Sequence, residues 1–182
     1  MNTIKSLMTL RDEDVFPNKN IPLITEWIDR PTGKVVLFNY RKKIALVGNK
    51  VNNFVLLPGG GVEESENIVE GTLRECQEET GCIIKITHEL GITDDYRSRD
   101  SRHAINYGFI GEVLSHGEQN LMHNEKDIGL HVIWVSLKEA SKIFKKQEIE
   151  LKEGRVDYYN TGFNILRDRF FIESASELLK DC

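Results

Sequence analysis

The sequence predicts an α/β (α+β) fold in which a mixed β-sheet is sandwiched between α-helices. Three observations point there. Short β-rich apolar runs such as Val35–Asn39, Ile44–Val47 and Phe54–Leu57 are bounded by turn residues. Three longer stretches, 65–80, 137–149 and 156–179, carry apolar residues at helical spacing. The two kinds of segment are interspersed without strict βαβ alternation, which favours a mixed sheet covered by helices. The chain has 182 residues. At about 150 residues per domain that is one domain, or one domain and an arm. A chain of this size buries roughly 68–70% of its unfolded surface and needs no metal or disulfide staple.

Along the chain, residues 1–30 are polar and punctuated by Pro17 and Pro22. They read as an N-terminal arm with one strand near Leu23–Ile28, before a domain over 31–182. Val35–Asn39 and Ile44–Val47 flank Tyr40-Arg-Lys-Lys43 and read as a hairpin. Phe54–Leu57 is a short strand ending in Pro58-Gly-Gly-Gly61, the strongest turn punctuation in the chain. A helix follows over Ser65–Thr80, with Ser65 suited to cap it and Gly81 to stop it. Ile83–Ile86, His103–Leu114 and Leu130–Val135 read as strands. Leu137–Ile149 alternates apolar residues with Lys and Glu, as an amphipathic surface helix does. Val156–Leu179 reads as one long helix or two short ones.

Composition narrows the function classes. The chain is 40% hydrophobic and 29% charged with 14 Gly and 4 Pro, which excludes collagen-like and disordered chains. A net charge of −5 argues against a general nucleic-acid binder. Cys76, Cys82 and Cys182 form no CxxC and are odd in number, which argues against a disulfide framework or a structural zinc site. Met1–Leu10 has no apolar core of a signal peptide, and no apolar run approaches the roughly 20 residues of a membrane span. These features predict a reduced, cytoplasmic protein with neither nucleic acid nor membrane as partner.

One stretch carries chemistry: GGVEESENIVEGTLRECQEETGC, residues 60–82. At about 100° per residue, Glu78 lies about −60° and Glu79 about +40° from Glu75 on the helix wheel. Three carboxylates therefore share one arc. Val69, Thr72, Leu73 and Cys76 form a stripe beside that arc, so the acids border the buried face. In a cleft, two carboxylates about 6 Å apart repel by about 2.8 kcal/mol at an effective dielectric near 20. A divalent cation relieves this, and oxygen ligands suit Mg²⁺ or Mn²⁺. Gly71 in mid-helix costs about 1 kcal/mol against Ala, which predicts close approach of another group to the backbone there.

This spacing, from Gly60 through Glu66, Arg74-Glu75, Glu78-Glu79 and Gly81, resembles the signature of the Nudix hydrolases (the MutT-like family). Every Gly, Glu and Arg of that signature stands in register. Cys76 and Cys82 occupy positions the family fills with aliphatic residues, and both are small enough to be buried. The resemblance implies a Nudix fold over about 33–150. It also implies hydrolysis of a nucleoside diphosphate linked to another moiety, broken at a phosphoanhydride with divalent cations. It suggests Glu75, Glu78, Glu79 and the Gly59 carbonyl as metal ligands. Glu78 is then central to catalysis, Arg74 orients a carboxylate, and Glu66, on the far side of the wheel, braces the loop. An acid in a later loop often serves as base, and Glu125 is the candidate here.

Outside that stretch, Tyr96-Arg-Ser-Arg-Asp-Ser-Arg102-His103 is the local basic cluster, and Arg97, Arg99 and Arg102 are candidates to grip a substrate phosphate. The histidines show no metal-ligand spacing. Two other readings of the resemblance are a catalytically silent nucleotide sensor, against which the intact glutamates argue, and an isoprenoid diphosphate isomerase, whose Cys and Glu outside the signature have no counterpart. The substrate stays open between nucleoside triphosphates, dinucleoside polyphosphates, nucleotide sugars and ADP-ribose. The arm and the C-terminal helix are surfaces for covering the core or for a homodimer.

Overall fold

The computed structural model describes residues 6–17, 20–22, 24–51, 53–120, 129–156 and 158–180. Among them are seven strands and four helices: β1 Ser6–Leu10, α1 Asp12–Val15, β2 Ile28–Phe38, β3 Lys43–Gly48, β4 Val55–Leu56, α2 Ile68–Thr80, β5 Cys82–Arg97, β6 Arg102–His116, β7 His131–Ser136, α3 Leu137–Lys152 and α4 Tyr159–Leu178. A 3₁₀ turn over Ser98–Asp100 joins β5 to β6. The strands form one mixed sheet in the order β1-β5-β6-β2-β3-β4, and β7 also pairs with β3. β1 runs parallel to β5, and β2 runs parallel to β6 along its whole length.

The core lies on both faces of the sheet, which is why the central strands read as continuous apolar runs. Alternate residues point to opposite faces. Val36, Phe38, Ile44 and Leu46 meet Phe144 of α3 and Ile165, Phe171 and Ile172 of α4. Val35, Leu37 and Ala45 meet Cys76 of α2, with Cys82, Ile84 and Phe109. The result is three layers: α2, the sheet, and α3 with α4. Among the described residues, no helix is long and apolar enough to cross a membrane.

Several expected boundaries move. Residues 6–16, read as part of an arm, are built into the body: β1 joins the sheet, and Leu10, Val15 and Phe16 pack on Phe163 and Leu151. Asp12 is buried and accepts hydrogen bonds from the Ser98 N–H (3.0 Å) and the Tyr159 hydroxyl (2.6 Å). The strand expected over Leu23–Ile28 is absent at residues 24–27 and begins only at Ile28. β5 runs to Arg97, far past Ile86, with register shifts at 83/84, 86/88 and 89/91. Val69, placed on the buried stripe of α2, is 41% exposed. α2 begins at Ile68, capped by Asn67 and not by Ser65. Asn67 Oδ1 accepts from the Glu70 N–H and Glu70 returns a bond to the Asn67 N–H, both 3.0 Å. That reciprocal capping box satisfies two otherwise unpaired donors.

Cys76 and Cys82 are buried free thiols. Burial pushes the Cys76 thiol up to about 12 and raises that of Cys82 as well. A thiolate is the reactive form. We therefore expect iodoacetamide at neutral pH to leave both unmodified in the folded protein and to label both in urea, as read by peptide mass spectrometry. Rapid native labelling of Cys76 would contradict this packing.

Candidate active site

The loop 58–62 runs along the edge of β2. The Val35 N–H donates to Pro58 O (3.1 Å), Gly33 N–H to Gly60 O (3.0 Å) and Val62 N–H to Pro31 O (3.1 Å). This pairing lays the loop beside the first turns of α2. Gly59 holds a φ of +118°, and a Cβ there would meet Gly33 O at 2.2 Å, so glycine is required for the close approach.

Arg74 ties loop and helix together. Its Nε lies 2.7 Å from Glu66 Oε1 and its Nη2 donates to Glu66 Oε2 (3.0 Å) and Gly61 O (3.1 Å). Its Nη1 donates to Glu75 Oε1 (3.0 Å) and Glu78 Oε2 (3.2 Å). The fork geometry of guanidinium suits this multiple role. Glu66 also accepts from the Glu63 N–H (3.1 Å), and the Arg74 bond, then that N–H, hold its carboxyl below the usual range. The Glu66 Oε2 atom is also what approaches Gly71: a Cβ there would stand 2.9 Å from it and 3.0 Å from Val62. The mid-helix glycine makes room for the loop.

Glu75, Glu78 and Glu79 surround this loop from one side of α2. Burial raises the Glu75 carboxyl, against the pull of Arg74. Glu79 accepts from the Gly59 N–H (2.8 Å). The Gly59 carbonyl receives the Lys34 ammonium, which also donates to Leu57 O (3.1 Å). Lys34 is 7% exposed; burial lowers its pKa while Glu79 opposes the shift. Arg74 and the Gly59 N–H take up the carboxylates, and no three His, Cys, Asp or Glu side chains converge on one point among the described residues. The donors nevertheless are all hard oxygens on one rigid helix and one pinned loop, a set that fits Mg²⁺ or Mn²⁺.

A Cβ on Gly60 would lie 2.3 Å from Glu75 Oε2. We expect Gly60→Ala to swing the Glu75 carboxylate away and to cut turnover at least about tenfold, since small misplacements near the chemistry are costly. Thermal unfolding of the variant should stay within a few degrees of the parent. An active Gly60→Ala protein would separate Glu75 from the site.

The remaining candidates divide. Arg97 is buried: it donates to Asp95 Oδ2 (2.7 Å), Asn160 Oδ1 (3.1 Å) and Asn164 Oδ1 (2.9 Å). Arg99 lies over the Tyr159 ring, 4.6 Å from its centre, apart from the other two. Arg97 and Arg102 line a cavity of about 230 Å³ together with Gly60 and Gly61. Glu125 falls outside the described residues; Asn120, shortly before it, donates its N–H to Glu78 O (3.1 Å). Lys34 and Arg167 escaped the sequence reading. Their signal was a charged residue set against or within an apolar run, Lys34-Val-Val-Leu-Phe and Ile165-Leu-Arg-Asp-Arg-Phe-Phe.

Comparison with known proteins agrees with the geometry. A family model described as the NUDIX domain matches residues 27–155. An ADP-ribose pyrophosphatase of Methanocaldococcus jannaschii is 42% identical over 76 residues, 40% of this chain and 44% of that one. A Bacillus subtilis protein described as a candidate 8-oxo-dGTP diphosphatase is 30% identical over 102 residues, 56% of this chain and 63% of its own. This chain thus spans about half to two thirds of those relatives' lengths. A solved NUDIX hydrolase from Nitrosomonas europaea superposes with a TM-score of 0.54 at 22% identity, covering 72% of this chain and 93% of that one. With its signature loop and helix in place and most of its length matched by the family model, the chain belongs to the Nudix family.

Proposed function

We propose that this chain is a metal-dependent Nudix pyrophosphohydrolase, cleaving a phosphoanhydride of a nucleoside diphosphate linked to another moiety. The observation that carries the reading is the carboxylate set itself: Glu75 and Glu78 on one Arg74 nitrogen and Glu79 on the Gly59 N–H, all beside one pinned loop. Glu75, Glu78, Glu79 and the Gly59 carbonyl would hold Mg²⁺ or Mn²⁺. The chemistry a divalent ion supplies at such a site is neutralisation of phosphate charge and activation of water.

The protein's own part is positional. Arg74 holds Glu75 and Glu78 in place while Glu66 and Gly61 hold Arg74. Such support is worth about 10–100-fold in metal affinity or activity. The Lys34 ammonium fixes the Gly59 carbonyl. Glu125, on the segment after Asn120, is the proposed base. The two relatives differ in the substrate they are named for, so the moiety linked to the nucleotide is left to experiment.

The test is release of phosphate or pyrophosphate, with and without Mg²⁺, from a panel of nucleoside triphosphates (canonical and oxidised), ADP-ribose, nucleotide sugars and diadenosine polyphosphates. Metal-dependent turnover of one class well above the rest supports the reading. No turnover, with nucleotide still bound tightly, overturns it in favour of a sensor.

A further inference from the structure

The cavity against the signature loop is cationic. Arg30, Lys34, Arg97, Arg102 and Arg167 line it, and no acid does among the described residues. Two asparagines of α4, Asn160 and Asn164, complete its polar wall. Asp95 and Asp168 lie behind it, each paired with one arginine, Arg97 and Arg167, at 2.7 Å. Asp100 stands 3.7 Å from Arg102. Arg30 has no carboxylate partner among the described residues, and Lys34 donates only to carbonyls. In a chain of net charge −5 this is a concentrated positive spot.

Behind the cavity wall, two guanidinium nitrogens lack an aligned hydrogen-bond partner. Arg97 and Arg167 are 4% and 2% exposed. Arg97 Nε and Arg167 Nη2 have no hydrogen-bond partner; Nη2 lies close to Asp168 but not in hydrogen-bonding alignment. A buried unpaired donor is costly, more so on a charged group. An anion with several acceptor oxygens in the cavity would offset the crowded positive charge.

The position fixes what that anion belongs to. Gly60 and Gly61 line the cavity, and Gly60 also packs against Glu75. A Cβ on Gly60 would strike Glu75, and one on Gly61 would come 2.7 Å from the Arg30 guanidinium. A phosphate chain crossing these two glycines would have the carboxylates on one side and arginines on the other.

We propose that this cavity binds a phosphate group of the substrate other than those held at the glutamates. The chain would then select nucleotides whose linked moiety is itself phosphorylated over those with a neutral sugar. This rests on the pyrophosphohydrolase reading but is separable from it. Tripolyphosphate, titrated calorimetrically in EDTA, probes the cavity without metal. It should bind, and more weakly as salt rises. Arg102→Gln and Arg30→Gln, both reachable by solvent, should each weaken binding about tenfold. Arg155→Gln, remote from the cavity, should not. With Mg²⁺, the two cavity variants should raise KM for ATP and diadenosine tetraphosphate about tenfold and for ADP-ribose less than about twofold. The comparison of ATP with the dinucleotide tells a terminal phosphate from a bridging one. Failure of tripolyphosphate to bind, or equal damage to ADP-ribose hydrolysis, overturns the cavity assignment even if hydrolysis is robust. Binding weakened by the variants, without hydrolysis of any nucleotide, would uphold the cavity and overturn the pyrophosphohydrolase.

Discussion

Glu78→Gln is expected to lower kcat/KM by about two to four orders of magnitude at saturating Mg²⁺, with the fold intact. The substitution replaces a proposed carboxylate ligand by a neutral amide, removing its charge, and such an interaction is worth several kcal/mol at about 1.4 kcal/mol per tenfold. The fold survives because Arg74 keeps Glu66 at 2.7 Å and Glu75 at 3.0 Å when Glu78 is neutral. One carboxylate fewer on the arc also removes like-charge repulsion between neighbours three and four residues apart. The melting temperature should therefore hold or rise slightly. Full turnover in the variant would dismiss Glu78 from the metal site; loss of activity accompanied by a collapsed melting temperature would move it to a structural role.

Asp168→Ala is expected to cost about 3–5 kcal/mol of unfolding free energy, the largest single loss on the α4 side of the sheet. Asp168 is fully buried and accepts from the Leu57 N–H (2.8 Å) and Arg167 Nε (2.8 Å). Its removal leaves the Arg167 guanidinium uncompensated in the interior and an orphan N–H at Leu57, between β4 and the signature loop. The double variant Arg167→Met/Asp168→Leu removes both charges, and replacing a buried pair by apolar groups is often neutral. It should recover most of the loss, short of the bonds to Leu57 and Asn106. Urea unfolding of the three proteins decides. A cost below about 1 kcal/mol for the single variant would mean that water reaches Arg167.

The sheet centre and the signature were legible because they follow simple patterns. Val35–Phe38 and Ile44–Val47 are apolar on both faces and could be nothing but inner strands. The carboxylate arc follows from helical spacing alone. What escaped was a buried face that is polar. Thr93, Asp95 and Arg97 all point inward from β5, and Asn106 does so from β6. Of these, Arg97 donates to Asn160 and Asn164 of α4, and Asn106 accepts from Arg167 of α4. A hydrophobicity pattern reads such a strand as loop, which is why the expected strand ends at Ile86 while β5 runs on to Arg97. The helix start was missed for a smaller reason. Asn67-Ile-Val-Glu70 is itself a capping signature, and Ser65 two residues earlier competed with it.

The sheet order has a consequence for how the protein is made. Ile28 pairs with Arg102 and Lys43 with Ser136, so the inner strands wait for partners encoded far downstream. At roughly 5–20 residues per second on the ribosome, β2 stands without β6 for roughly 4 to 15 s. During that interval Val35–Phe38 offers an unpaired apolar edge, the kind of segment that seeds aggregation. The acidic helix, by contrast, emerges early and carries the like charges that keep a nascent chain apart from its neighbours. Vectorial synthesis thus leaves the motif that would later do the chemistry as a solubilising element of the half-made chain, and growth temperature should govern yield more strongly than the stability of the finished fold.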